Sequence, residues 1–121
     1  MSLRLLLLLH AIVTFAAGIV LIAWPEAIPR TAGIELEREQ YLLCWLLAAA
    51  ELSIGYLSIA ARNFTDARAL RSVCRFFALF HLFTAVLEAM SIEQEVSAAL
   101  LINAGVRVVV AGLFLYYAQR R

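Results

Sequence analysis

Apolar residues in this chain gather into four long runs separated by short polar segments. The runs are Leu3–Ala23, Tyr41–Ala61, about 73–92 and 97–118. A helix of about 20 residues, rising 1.5 Å per residue, crosses the roughly 30 Å hydrocarbon layer of a bilayer. Hydrocarbon offers no water to backbone N–H and C=O groups, so a spanning segment must satisfy them internally, as a helix does. The pattern therefore predicts an all-α fold, a single domain over 1–121 built as a bundle of four transmembrane helices.

The residues between the runs fit that reading. Trp24-Pro25 closes the first run with an interfacial aromatic and a residue that has no N–H to continue a helix. The segment 25–40 holds both prolines, Gly33 and the charged stretch 35–39. In the segment 62–72, Thr65 reads as an N-cap with Asp66 in the first turn, so the third helix is expected to begin before the bilayer. Arg68, Arg71 and Arg75 then share one face of it. The segment 91–95 is acidic and has no cation. The first run exceeds the roughly 7 to 15 apolar residues of a signal peptide and is read as a span.

Composition agrees: 16% of residues are charged, 64% are hydrophobic and the mean hydropathy is +0.89. A soluble domain carries about a quarter charged and about half apolar residues. All ten basic residues are Arg, a side chain suited to phosphates and to buried pairs. Arg4, Arg62, Arg68, Arg71, Arg75, Arg120 and Arg121 fall on one side of the predicted spans, and only Arg30 and Arg38 on the other. That asymmetry predicts cytoplasmic termini, N-in and C-in, in a bacterial inner membrane. Trp24, Tyr41 and Trp45 then mark the outer interface, and Tyr116 and Tyr117 the inner one. The basic residues sit beside spans, so the expected partner of Arg68, Arg71 and Arg75 is anionic lipid on the cytoplasmic side, with no nucleic acid implied. The sequon Asn63-Phe64-Thr65 falls on that same side, where it is not glycosylated. Cys44 and Cys74 lie near opposite faces and are not expected to bridge.

Ionisable groups at bilayer depth carry the candidate chemistry, because each costs about 2.5 to 3.5 kcal/mol at a span centre unless it faces protein or water. Glu51 and Arg107 are central in the second and fourth runs. Cys44, Leu47, Ala48, Glu51, Gly55 and Ser58 form one small and polar stripe. Leu100, Asn103, Ala104, Arg107, Ala111 and Phe114 form another. Pairing these stripes would bring Glu51 to Arg107, either as a structural ion pair or as a binding or proton-handling site. Glu88 lies at about the depth of Asn103 and is expected either to hydrogen-bond to it or to reach the outer interface. His10 shares a face with Thr14 and Ala17, and His81 with Cys74, Thr84, Ala85 and Glu88. Two such histidines suit interhelical hydrogen bonds or a bis-imidazole haem or metal site. Gly105 and Gly112 lie on the opposite side of the fourth helix from Arg107, as a groove for lipid or a second copy of the chain.

Phosphate-cradling glycine loops, Cys-x-x-Cys pairs, serine nucleophile elbows and His-Glu-x-x-His helices are all missing from the sequence, so no enzyme and no cofactor is expected. The four short spans, the proline turn after the first helix, Ala61-Arg62-Asn63 closing the second and the basic link into the third resemble the small bacterial DoxX-like membrane proteins and their relatives. That resemblance implies the four-helix architecture. His81-Leu82-Phe83-Thr84 is also similar to the third span of the four-helix scaffold of sterol biosynthesis. There an acid follows closely, whereas here Ala85 stands in that place and the acid is Glu88. Small multidrug transporters are similar in size, but their essential Glu lies in the first helix, where this chain has His10. The leading expectation is a non-enzymatic bundle that binds a hydrophobic ligand or packs against a partner membrane protein or a second copy of itself. The alternatives are a small oligomeric proton-coupled transporter using Glu51 and Arg107, and a haem or quinone redox protein using His10 and His81.

Overall fold

The computed structural model describes residues 1–91 and 97–120. Helix is the sole regular structure among them: α1 (Leu3–Ala23), α2 (Ala27–Thr31), α3 (Tyr41–Ala61), α4 (Ala67–Met90) and α5 (Ala98–Arg120), with a 3-10 turn at Arg38–Gln40. Four helices are long and apolar enough to cross a membrane, as the apolar runs predict. The expected acidic connection at 91–95 and the cation Arg121 lie outside the described residues, apart from Ser91.

Local chemistry sets the helix ends. Ser2 caps α1 by accepting the Leu5 N–H at 3.2 Å. Trp24 leaves the helical region just before Pro25, where the proline ring disfavours a further helical residue. The short α2 ends in a Schellman turn, with Ile34 N donating to the Pro29 carbonyl and Gly33 N to that of Arg30. Gly33 supplies the required positive φ of 75°. Glu37 and Gln40 form a reciprocal capping box that leads into α3. Asp66, not Thr65, caps α4: its carboxylate accepts the Arg68 N–H at 2.7 Å. A carboxylate at this position gains both the hydrogen bond and the helix dipole, which a hydroxyl meets less well. As a result α4 starts six residues before the apolar run.

The described chain divides into two compact units, Met1–Asn63 and Phe64–Arg121. In the first, α1 packs antiparallel along α3. Close approach depends on two glycines. A Cβ on Gly18 would stand 2.8 Å from Leu52 Cγ and 3.2 Å from the Ala48 carbonyl oxygen. One on Gly55 would stand 2.9 Å from Thr14 Oγ1. The small face of α3 is buried at Cys44, Ala48, Glu51, Gly55 and Ser58, but Leu47 is 48% exposed. Ala48 occupies the contact line, and Leu47, 100° around the helix, turns outward. Leu21, Cys44 and Ala48 form a core against which Leu36 of the connecting segment packs.

In the second unit α4 and α5 run antiparallel, registered by Phe77 against Phe114 with ring centroids 5.1 Å apart. Cys74, Ala78 and Ala85 on α4 and Ala111 and Ala118 on α5 are buried. At the end of α5, the Arg120 guanidinium lies 4.4 Å over the Tyr116 ring, a cation–π contact. Both cysteines are buried thiols, one in each unit. Large apolar side chains such as Val13, Leu43, Ile102 and Val109 are about two-thirds exposed. Such a surface is stable against hydrocarbon rather than water.

Candidate functional site

The antiparallel register of α4 and α5 carries their polar residues to one locality. Asn103 and Arg107 are one turn apart on α5 and so project from the same face. Glu88, in the last turn of α4, meets both: its Oε1 accepts Asn103 Nδ2–H at 2.7 Å and Arg107 Nε–H at 3.1 Å. The Arg107 and Glu88 side chains are only 20% and 17% exposed. Glu88 Oε2 is buried with no hydrogen-bond partner among the described residues. One carboxylate oxygen is thus held by an amide and a guanidinium, and the other has unused acceptor capacity among the described residues.

The Glu88–Asn103 hydrogen bond matches the sequence expectation. Arg107 forms a salt bridge with Glu88. Glu88 belongs to the same hairpin as Arg107, so the α4–α5 register alone brings the two together. Glu51 is buried on α3, in the other unit, on the face that also bears Gly55 and Ser58. α1 docks along α3 at Gly18 and Gly55.

His10 Nδ1 lies 2.7 Å from Ser58 Oγ, the interhelical hydrogen bond expected of a lone intramembrane histidine. The Ser58 hydroxyl donates to the Ile54 carbonyl at 2.9 Å, so Ser58 Oγ is left to accept and Nδ1 to donate. Thr14 turns its hydroxyl back to the carbonyls of His10 and Ala11. In the second unit His81 is buried, stacked on Phe114 at 6.4 Å with only 6° between the ring planes, and set edge-on to Phe80. No group of three His, Cys, Asp or Glu side chains among the described residues is arranged to hold a metal ion.

Arg68, Arg71 and Arg75 do share one face, and with Ser72 of α4 and Ala118 and Gln119 of α5 they line a broad, open cleft. Gly105 and Gly112 are exposed, and a Cβ at either would meet nothing within 4 Å. Sequence reasoning passed over a further cluster beside the end of α1. Tyr41 donates its hydroxyl to Glu26, which also pairs with Arg30, one helical turn away. The signal was the Glu26–Arg30 spacing of four residues next to Pro25, but its third member comes from 15 residues along the chain. Gly18 was also missed, although a glycine inside a leucine-rich span marks a close helix approach. Compared with known protein families, curated proteins and solved structures, the chain matches none of them.

Proposed function

We propose that this chain is a non-enzymatic integral membrane protein that binds a hydrophobic ligand bearing a hydrogen-bond donor, with the donor at Glu88. The observation that carries this reading is Glu88 Oε2, buried with no hydrogen-bond partner among the described residues, beside an oxygen already held by Asn103 and Arg107. An unmet buried acceptor costs about 1 to 3 kcal/mol, and a ligand hydroxyl or N–H would recover it. The neighbouring Phe83, Leu87, Ile102 and Val106 are exposed and apolar, which suits a hydrocarbon body. Gentle purification from native membranes, solvent extraction and lipid mass spectrometry test the idea. One donor-bearing lipid should be enriched over the bulk membrane in the parent and fall roughly tenfold in Glu88→Gln, which replaces the unmet acceptor with an amide donor. A lipid profile equal to the bulk membrane would rule this reading out, and a stoichiometric second protein would favour a partner membrane protein instead.

A second reading is a small oligomeric proton-coupled transporter, supported by a largely buried, ion-paired carboxylate, Glu88, within a helix apolar enough to span a membrane. Proteoliposomes should then dissipate an imposed pH gradient, and Glu88→Gln should abolish the flux.

A further inference from the structure

We propose that the Glu88–Arg107 site takes a lipid with an uncharged amide head, its N–H donated to Glu88 Oε2 and its carbonyl accepting from an Arg107 Nη–H. This rests on the ligand-binding reading above and names the chemistry of the head group. A guanidinium set side-on to a carboxylate usually bonds both oxygens, with Nε–H on one and Nη–H on the other. Here Arg107 Nε and Asn103 Nδ2 converge on Oε1, and Oε2 is buried with no hydrogen-bond partner among the described residues. Arginine has five N–H donors, and among the described residues Arg107 commits only its Nε–H. The ion pair is thus half matched. An acceptor and a set of donors remain, each one carbon removed from the 3.1 Å contact and therefore within a few ångströms of it. A small turn of the carboxylate about χ3, a broad torsion, brings Oε2 toward the 17% of the Glu88 side chain that stays open.

The head group must meet both halves at once. A hydroxyl carries its donor and its acceptor on one atom, whereas an amide carries them on two atoms across one carbon, the spacing of the carboxylate and guanidinium that it would bridge. Asn103 already shows how an amide fits here, since its N–H donates to Glu88 Oε1 at 2.7 Å. Charge decides between an amide and an acid. Glu88 and Arg107 offset each other, so an uncharged amide leaves the site neutral. An ionised fatty acid or a phosphate would set a second negative charge beside Glu88, where little water screens the repulsion. The two side chains are only 17% and 20% exposed, so the pair lies between α4 and α5 rather than on an open face. Leu87 and Val106, their neighbours in sequence, are exposed and offer the acyl chain an apolar surface.

Competition for tritiated oleamide bound to the full chain in mild non-ionic detergent tests the head group, with unlabelled oleamide, oleyl alcohol and methyl oleate as competitors. The three share one hydrocarbon chain, so partition into micelles nearly cancels. Oleamide should compete roughly tenfold better than oleyl alcohol, and methyl oleate, which has no donor, should be weakest. Arg107→Lys keeps the positive charge but not the fork of N–H groups, and should bring oleamide down to the level of the alcohol. An unchanged preference for oleamide in that variant would refute the bridge to Arg107. Oleyl alcohol matching oleamide on the parent protein, with methyl oleate weaker, would overturn the amide head and leave the donor at Glu88 standing. Methyl oleate matching oleamide would overturn both, since no donor is then needed. If oleamide does not bind saturably, the amide head is wrong, and the lipid profile of Glu88→Gln still decides the ligand-binding reading on its own. If Arg107→Lys does not fold, the order of the three compounds on the parent protein decides.

Discussion

Arg107 Nε lies 3.1 Å from Glu88 Oε1, in a contact that joins the middle of α5 to the last full turn of α4. Removing one partner of a fully buried pair costs about 3 to 5 kcal/mol, and this pair keeps some exposure, so about 1 to 3 kcal/mol is expected for either Glu88→Gln or Arg107→Gln. The double variant should regain much of the loss. Reversible unfolding in mixed micelles measures this cycle. A larger coupling between positions 51 and 107 than between 88 and 107 would make Glu51 the main partner of Arg107.

The His10–Ser58 hydrogen bond ties α1 to α3 from within. Ser58→Ala should destabilise the first hairpin by about 1 to 2 kcal/mol, because a buried ring N–H loses its acceptor. Ser53→Ala, on the exposed side of the same helix, serves as the control and should change little. Equal melting of the two variants would remove the interhelical bond from the account.

Glycines in the two hairpins should respond in opposite ways. Gly55→Ala forces a Cβ to within 2.9 Å of Thr14 Oγ1 and should cost about 1 to 3 kcal/mol. Gly105→Ala meets nothing and should be neutral or gain up to about 1 kcal/mol of helix propensity. Gly112→Leu then reports on assembly: a lower particle mass in detergent points to a second copy at this face, and an unchanged mass assigns the face to lipid.

Orientation is open to a direct check. Single cysteines placed at Glu37 and at Arg68, in a background without Cys44 and Cys74, should be labelled from outside intact cells only at position 37. Outside labelling at position 68 would invert the orientation inferred from arginine asymmetry.

The sequence by itself determined the four long helices, because the length of an apolar run, a proline after Trp24 and a capping residue before α4 act within a few residues of themselves. It also determined which side of each helix would be polar, since the angle between two side chains on one helix depends only on their spacing. Asn103 and Arg107 had to share a face, as did Glu51, Gly55 and Ser58. Partner choice was decided only by the tertiary structure. Periodicity gives a direction around one helix and an approximate depth, but neighbours depend on which surfaces interlock and on a register that one turn can alter. The glycine contacts of Gly18 and Gly55 set that register for α1 on α3 and gave His10 to Ser58. The Phe77–Phe114 contact set it for α4 on α5 and brought Glu88 to Arg107. The arginine cleft divides the same way: three arginines on one face were legible from spacing, but the opposing wall at Ala118 and Gln119 exists only because α5 returns alongside α4.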